Sequence, residues 1–157
     1  NRLAMKKMNR DTRCNMCEMI KIIISGASAF GIVDAAYTDK VIITPSSISY
    51  EYKPHPKSRQ ETNIYRKWTY KTTSPIFLEL YKRIAEMTPK YLVSEKEMYV
   101  LDGYETTITA TFQDKHKESA AFYYSSDYFQ DYFSLIKEMV PNTEYVPAVL
   151  LTREDYE

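Results

Sequence analysis

The sequence predicts an α+β fold, an antiparallel sheet of about five or six strands with two helices packed on one face, built from a duplicated ββα unit. The first observation behind this prediction is a repeat at an offset of 52 residues: residues 74–89 align without gaps with residues 126–141, and six of the sixteen positions are identical. The second is that each copy follows alternating, aromatic-rich stretches that are typical of strands. Amphipathic helices and half-apolar strands each bury one face, so the economical arrangement packs both helices on the same side of the sheet.

The N-terminal half of the fold begins with a strand that opens near Met19. A glycine-bounded turn follows, from Gly26 to Gly31, and residues 35–44 then form an apolar, β-branched strand. Residues 44–47 carry turn chemistry, with a proline at the second position. Residues 47–53 and 67–72 alternate between apolar and polar side chains, which predicts two half-buried strands joined by the polar loop 54–63.

The first helix is expected to begin after Ser74, a favourable N-cap, with Pro75 where its missing N–H costs nothing. It ends at Pro89. Its apolar residues fall on one helical face, which predicts a buried stripe. The stripe consists of Phe77, Leu80, Tyr81, Ile84 and Met87.

The second half repeats this order. Residues 104–113 alternate, residues 114–117 form a polar turn, and apolar residues return from Ala120. Ser126 or Asp127 is expected to cap the second helix, which ends at Pro141. Its apolar stripe consists of Phe129, Tyr132, Phe133, Ile136, Met139 and Val140.

The chain is expected to hold one structural domain, residues 19–157, with internal repeats near 41–89 and 104–141. Residues 1–18 are polar and lack periodicity, so we interpret them as an N-terminal extension outside the core, with Met19 as the native initiator. Cys14 and Cys17 in this extension have the CxxC spacing of metal or redox sites. Two further ligands or a βαβ context would be needed, so we expect neither a metal nor a cofactor.

Composition restricts the class of partner. Lysine plus arginine equals aspartate plus glutamate, 21 against 21, so net charge gives no reason to expect nucleic acid or an acidic membrane as a partner. No apolar run approaches the ~20 residues of a membrane span, and no secretory signal is recognisable. We therefore expect a cytoplasmic protein.

Residues 22–31, Ile-Ile-Ile-Ser-Gly-Ala-Ser-Ala-Phe-Gly, contain a glycine motif. The motif resembles the opening strand and glycine turn of the short-chain dehydrogenase family, which implies nucleotide binding at the Gly26–Gly31 turn. Phe30 stands where that family has its middle glycine, and no tyrosine is followed by a lysine four residues later. The resemblance therefore supports only a third hypothesis for function.

Catalytic chemistry finds little support in the sequence. His55 and His116 fall in predicted hairpin loops without a nucleophile at a suitable spacing, and we interpret both as solvated. Acidic residues at equivalent positions of the two helices are expected on wet faces. They are Glu79 and Asp131, and Glu86 and Glu138. A small enzyme with its site in a cleft between the two repeats stays the alternative.

The leading hypothesis is a non-enzymatic binding or protein-interaction module, whose partner is an unknown protein or a second copy of the chain. The sheet face turned away from the helices is polar and rich in threonine, which favours either a solvated surface or an interface. The loop 54–63 is a second candidate. The candidate interaction residues on the sheet are Glu51, Lys67, Thr69, Lys71, Thr107, Thr109 and Thr111.

Overall fold

The computed structural model describes residues 18–28, 32–93, 104–123 and 126–156. Over these residues the chain forms one antiparallel sheet of six strands and two α-helices, which confirms the predicted α+β class. The strands are β1 (Met19–Ser28), β2 (Tyr37–Thr44), β3 (Ser47–Pro54), β4 (Arg66–Lys71), β5 (Tyr104–Phe112) and β6 (Lys117–Phe122). The helices are α1 (Pro75–Met87) and α2 (Gln130–Lys137).

The strands are ordered β4-β3-β2-β1-β5-β6, so the first strand lies near the centre of the sheet and β4 and β6 form its edges. Four strands are connected as a meander, β1 to β4, and the hairpin β5–β6 completes the sheet through β1. Ile24 therefore lies opposite Val41 on one side and Ile108 on the other.

Both helices cover the same face of the sheet. The alternation that predicted half-buried strands places Ile22, Ile24, Val41 and Ile43 in one core with the helices, because side chains two residues apart point to the same face. The predicted helical stripes face the core, where Leu80, Met87 and Val140 are partly buried and the other members are buried. Their buried residues are Phe77, Tyr81 and Ile84 of α1 and Tyr132, Phe133 and Ile136 of α2.

The helix ends differ in part from prediction. Ser74 occupies the N-cap of α1, but its side chain forms no capping hydrogen bond. A 3₁₀ turn, Thr88–Leu92, continues the chain through Pro89. Ahead of the second helix, Ser126–Phe129 form a 3₁₀ turn and Phe129 is the N-cap of α2, so the predicted cap at Ser126 or Asp127 is wrong. The tighter turn accompanies the complete burial of the Phe129 side chain, which is 1% exposed.

The described part of the predicted glycine turn is strand and not turn. β1 continues through Ser28, and Gly26 pairs with Asp39 on one side and Thr106 on the other. Gly26 is thus a strand residue, held in register by two neighbouring strands. The rest of the motif, residues 29–31, lies outside the described residues, as do residues 1–17 with both cysteines.

The C-terminal segment closes the core on the helical side. Its 3₁₀ turn, Ala148–Leu150, places Val149 and Leu150 in the core, with exposures of 2% and 0%. Asp155 follows this turn, and its Oδ2 atom lies 2.7 Å from Lys137 Nζ of α2. The segment is therefore held both by apolar burial and by an ion pair.

Candidate functional site: the open face of the sheet

The side of the sheet opposite the helices is called the open face. It consists of the odd-numbered residues of β1 (from Lys21), β3, β4, β5 and β6 and the even-numbered residues of β2, because alternate strand residues point to opposite sides. All seven candidate interaction residues lie on it. The pairing Thr69 with Ser49, and Lys67 with Glu51, brings the predicted β4 residues beside those of β3.

Thr111 lies on the open face by register but is only 6% exposed. Its Oγ1 atom is buried and has no hydrogen-bond partner among the described residues. Thr109, by contrast, shares a hydrogen bond of 3.0 Å with Ser119. Of the three β5 threonines predicted for this face, Thr107 and Thr109 are half-buried and present polar atoms there.

The open face is positively charged although the chain as a whole is neutral. Its described residues include six lysines and two glutamates, an excess of four positive charges. The lysines are Lys21, Lys40, Lys53, Lys67, Lys71 and Lys117, and the glutamates are Glu51 and Glu105. The 21-to-21 balance of the sequence therefore conceals a basic surface, which only the strand register reveals.

Glu51 is compensated by its neighbours. The Tyr65 hydroxyl donates to Glu51 Oε2 at 2.7 Å, and Glu51 Oε1 lies 3.3 Å from Lys53 Nζ and 3.9 Å from Lys40 Nζ. The hydrogen bond from Tyr65, followed by the two lysines, lowers the pKa of the Glu51 carboxyl below its usual value. Glu51 therefore stays ionised at neutral pH, and the cluster keeps one net positive charge.

A cleft of about 310 Å³ lies at one end of the open face. Its floor is the stretch Ser25–Ala27 of β1, where small side chains leave space between longer ones on both sides. The walls come from three neighbouring strands. They are Thr38, Asp39 and Lys40 of β2, Glu51 and Lys53 of β3, and Glu105 and Thr107 of β5.

Four polar side chains of the cleft have no side-chain partner among the described residues. The hydroxyls of Ser25, Thr38 and Thr107 form no side-chain hydrogen bond with other described residues. Glu105 is half-buried and forms no ion pair within the same part of the chain. The cleft therefore presents hydroxyl groups between a cationic side at Lys40 and Lys53 and an anionic side at Glu105.

Of the cleft residues, only Glu51 and Thr107 were among the predicted site residues. Strand periodicity would have placed Lys40 and Lys53 on the same face as Glu51. The other half of the cleft depends on the pairing of β1 with β5, 80 residues later in the chain, which periodicity does not reveal. Ser25 and Ala27 were missed because the expected turn began at Gly26.

The other candidate groups lie away from this cleft. His55 is exposed, and its Nδ1 accepts a hydrogen bond from the Lys57 N–H at 3.1 Å. His116 stacks on Phe112 with ring centroids 4.4 Å apart and contacts Asp114. The equivalent acidic residues of the two helices are exposed, as expected; they are Glu79, Asp131, Glu86 and Glu138. The described residues contain no cluster of metal-ligating side chains.

The loop 54–63 is fastened to the segment before β2. The Arg59 N–H donates to Asp34 Oδ1 at 2.9 Å, and Asn63 Nδ2 donates to the backbone carbonyls of Asp34 and Ala36 at 2.9 and 3.0 Å. Ser58 Oγ also donates to the Asp34 carbonyl, at 2.5 Å. Since its polar groups are engaged internally, this loop offers fewer free contacts than the open face.

Comparison with known proteins adds no family assignment: no family model, no curated protein and no solved structure matches the chain. Within the described residues, neither helix has the length and apolar character needed to cross a membrane. The open face is therefore the feature from which a function can be inferred.

Proposed function

We propose that the chain is a non-enzymatic protein-interaction module whose open face binds an acidic segment of a partner protein. The observation that carries this proposal is the excess of four positive charges on a sheet face that no described element covers. A basic surface attracts an acidic partner over roughly the ~8 Å Debye length of physiological salt and accelerates encounter.

The residue types of the face suit a polypeptide partner. Serine and threonine hydroxyls both donate and accept hydrogen bonds, so rows of them on β3 and β5 can meet backbone amides and carboxylates. Half-buried Ile23 and Ile42 lie side by side at the middle of the face and supply apolar contact. A central apolar pair within a polar, charged surround is typical of protein interfaces.

The residues of the open face favour two other partners less, namely single-stranded nucleic acid and a second copy of the chain. Proteins that bind single-stranded nucleic acid on a sheet stack bases on aromatic side chains, and none of the described strand residues of the open face is aromatic. A second copy of the chain would bring two equally basic faces together, which like-charge repulsion opposes.

A duplication origin belongs to the same proposal. The segments β3-β4-α1 and β5-β6-α2 occupy the two halves of the sheet, each ending in a helix on the covered face. At the offset of 52 residues, Phe77 and Phe129 are both buried, and so are Ile84 and Ile136. This agreement in burial supports a common ancestor for the two halves, which extends the sequence repeat.

The test uses a fluorescent Glu-rich peptide, a single-stranded oligonucleotide and a duplex as probes in anisotropy titrations at two salt concentrations. Charge reversal of the open face, Lys67→Glu with Lys71→Glu, is expected to weaken peptide binding at least fivefold. Reversal of two exposed cations on α1, Lys82→Glu with Arg83→Glu, is the matched control and should change it less than twofold.

Three results would contradict the proposal. Equal losses in the two double variants would show that the peptide responds only to net charge. Tighter binding of an oligonucleotide than of the peptide, sensitive to the open-face variant alone, would assign the face to nucleic acid. If none of the three probes bound at low salt, the proposal of an acidic partner would be contradicted.

A further inference from the structure

We infer that the cleft at the end of the open face binds a small zwitterion, with an ammonium group on Glu105 and a carboxylate between Lys40 and Lys53. The class of ligand is a short peptide or ω-amino acid whose two charges lie about 6–8 Å apart. This site stands apart from the proposed protein partner, because it depends on the cleft and its charge separation and not on the net charge of the face.

The charge separation follows from the strand order. The pairing Ser25 with Lys40 places that lysine on one side of β1, and the pairing Ala27 with Glu105 places the glutamate on the other. Lys53 lies one strand further out on the lysine side, opposite Thr38. Since Glu51 neutralises one of the two lysine charges, the lysine side has a net charge of +1 and the Glu105 side a net charge of −1.

The spacing of the strands sets the length of the ligand. Lys53 and Glu105 are separated by three strand spacings, or about 14 Å between Cα atoms, at about 4.8 Å per spacing. Side chains stand roughly perpendicular to a sheet, so the charged groups of Lys53 and Glu105 are about as far apart as their Cα atoms. Contacts of about 3 Å at each end then leave about 8 Å between the ligand's charged groups, and somewhat less when Lys40 is the cationic partner. A single α-amino acid is too short for this span, whereas a dipeptide reaches across it.

The floor and walls suit the middle of such a ligand. Ser25 and Ala27 turn short side chains to this face and Gly26 adds only its backbone, so a ligand can approach the strand closely. The hydroxyls of Ser25, Thr38 and Thr107 bond no other side chain in the described ranges. They line the path between the two charged sides and can bond a peptide group in either orientation. The volume of about 310 Å³ is at the small end of known ligand pockets, which fits a ligand of this size.

The experiment compares ω-amino acids of increasing length, which are glycine, 4-aminobutyrate, 5-aminopentanoate, 6-aminohexanoate and 8-aminooctanoate, with glycylglycine as the peptide. Backbone amide shifts of Ser25–Ala27 in ¹⁵N spectra report binding at the cleft, and titration gives the affinity. The affinity is expected to peak at 5-aminopentanoate or 6-aminohexanoate. The Glu105→Gln substitution should weaken binding of that ligand at least tenfold. The Glu86→Gln substitution on the exposed side of α1 should change the affinity less than twofold.

The result that overturns the inference is specific to the cleft. An affinity that does not change with the length of the ω-amino acid would contradict a zwitterion site. So would an unchanged affinity in the Glu105→Gln variant, provided that its circular dichroism spectrum is native. The double variant Lys67→Glu with Lys71→Glu lies outside the cleft lining and should keep the affinity for the ω-amino acids within threefold. If no ω-amino acid binds but the Glu-rich peptide does, the result contradicts the zwitterion site and leaves the acidic partner standing. If an ω-amino acid binds and the peptide does not, the result contradicts only the acidic partner.

Discussion

The Tyr50 hydroxyl donates a hydrogen bond to Asp39 Oδ2 at 2.8 Å inside the core, where the aspartate is only 4% exposed. The same oxygen accepts the Val149 N–H at 2.9 Å, and the Ala148 N–H donates to Tyr50 Oη at 3.3 Å. Burial, and then the charge of Asp39, raises the pKa of Tyr50 well above its ordinary value, so the phenol stays protonated and continues to donate. One buried carboxylate thus joins β2, β3 and the C-terminal segment.

Removing this donor should be costly. The Tyr50→Phe substitution is expected to lower the free energy of unfolding by about 1–3 kcal/mol, because a buried carboxylate loses one of its donors. Tyr65→Phe is the matched control, since Tyr65 also donates to a carboxylate but is 52% exposed, and it should cost less than about 0.5 kcal/mol. Urea unfolding followed by circular dichroism measures both. If the two substitutions lowered the free energy of unfolding equally, the burial of Asp39 would not add to the strength of its hydrogen bond from Tyr50.

A second buried network joins the two helices. Thr88 Oγ1 lies 2.7 Å from both the Ile84 carbonyl and the Tyr132 hydroxyl. We expect Thr88→Val to lower the free energy of unfolding by about 1–2 kcal/mol, because the Tyr132 hydroxyl loses a partner in a dry site. In a double-mutant cycle with Tyr132→Phe, the two losses should be less than additive by at least about 0.5 kcal/mol. Strict additivity would show that the two hydroxyls are not coupled.

The ion pair of the C-terminal segment should weaken in acid. Burial acts to raise the pKa of Asp155, but the hydrogen bonds from Lys137 Nζ and the Thr152 N–H outweigh it, and the pKa lies below its usual value. Since the folded pKa is lower than the unfolded one, the contribution to stability is complete above about pH 4 and is lost as pH falls through the folded pKa.

Urea midpoints measured at intervals from pH 7 to pH 2 test this expectation. Wild-type stability should fall more steeply below about pH 4 than that of Asp155→Asn, and the two curves should converge at the acid end. The difference at pH 7 is expected to stay under about 1 kcal/mol, since the pair is partly solvated. Parallel curves over the whole range would contradict a role for Asp155. Because the pKa of Glu51 is also lowered, the comparison is repeated in a Glu51→Gln background.

Thr111 offers a gain in stability. Its buried hydroxyl has no partner among the described residues, so Thr111→Val removes an unsatisfied polar atom and keeps the shape of the side chain. The expected result is an increase of about 0.5–1 kcal/mol in the free energy of unfolding. Thr109→Val, which removes the bond to Ser119, should be neutral or slightly destabilising. Destabilisation by the Thr111 substitution would indicate a hydrogen bond to a residue outside the described ranges.

Self-association through the open face is not expected at physiological salt. Light scattering on a size-exclusion column, applied to residues 19–157, should give the mass of a monomer, because two basic faces repel each other. Adding salt screens the repulsion, so any dimer should become more populated as ionic strength rises. A dimer at low salt that Lys67→Glu with Lys71→Glu abolishes would identify a second copy as the partner and displace the acidic segment.

Periodicity alone predicted much of this molecule. The alternation of residues 47–53 and the helical spacing of Phe77, Tyr81 and Ile84 correctly identified which side chains are buried, because a strand or an amphipathic helix has one apolar face whatever its neighbours are. The same alternation places Asp39 on the buried face with Val41 and Ile43. The position of Asp39 in this alternation therefore indicates that its carboxylate needs a buried partner.

The pairing of strands that are far apart in the chain could not be predicted from the sequence pattern. The cleft combines Ser25 with Thr107, and Asp39 meets Val149, contacts between residues 82 and 110 positions apart. Local pattern carries no information on such distances, since any strand with one apolar face can pair with any other. The net charge of the whole sequence did not reveal the basic open face for a related reason. Its six lysines are spread over five strands, and acidic residues elsewhere in the chain balance them.

The central place of β1 has a consequence during synthesis. β1 can pair with β2 soon after both leave the ribosome, but its other edge waits for β5, whose first residue follows the end of β1 by 76 positions. Throughout that interval the isoleucines of residues 22–24 sit beside a row of unpaired backbone N–H and C=O groups, which is the usual template for intermolecular pairing. Until β5 emerges, this edge of β1 is therefore the part of the described sheet most exposed to pairing with another chain.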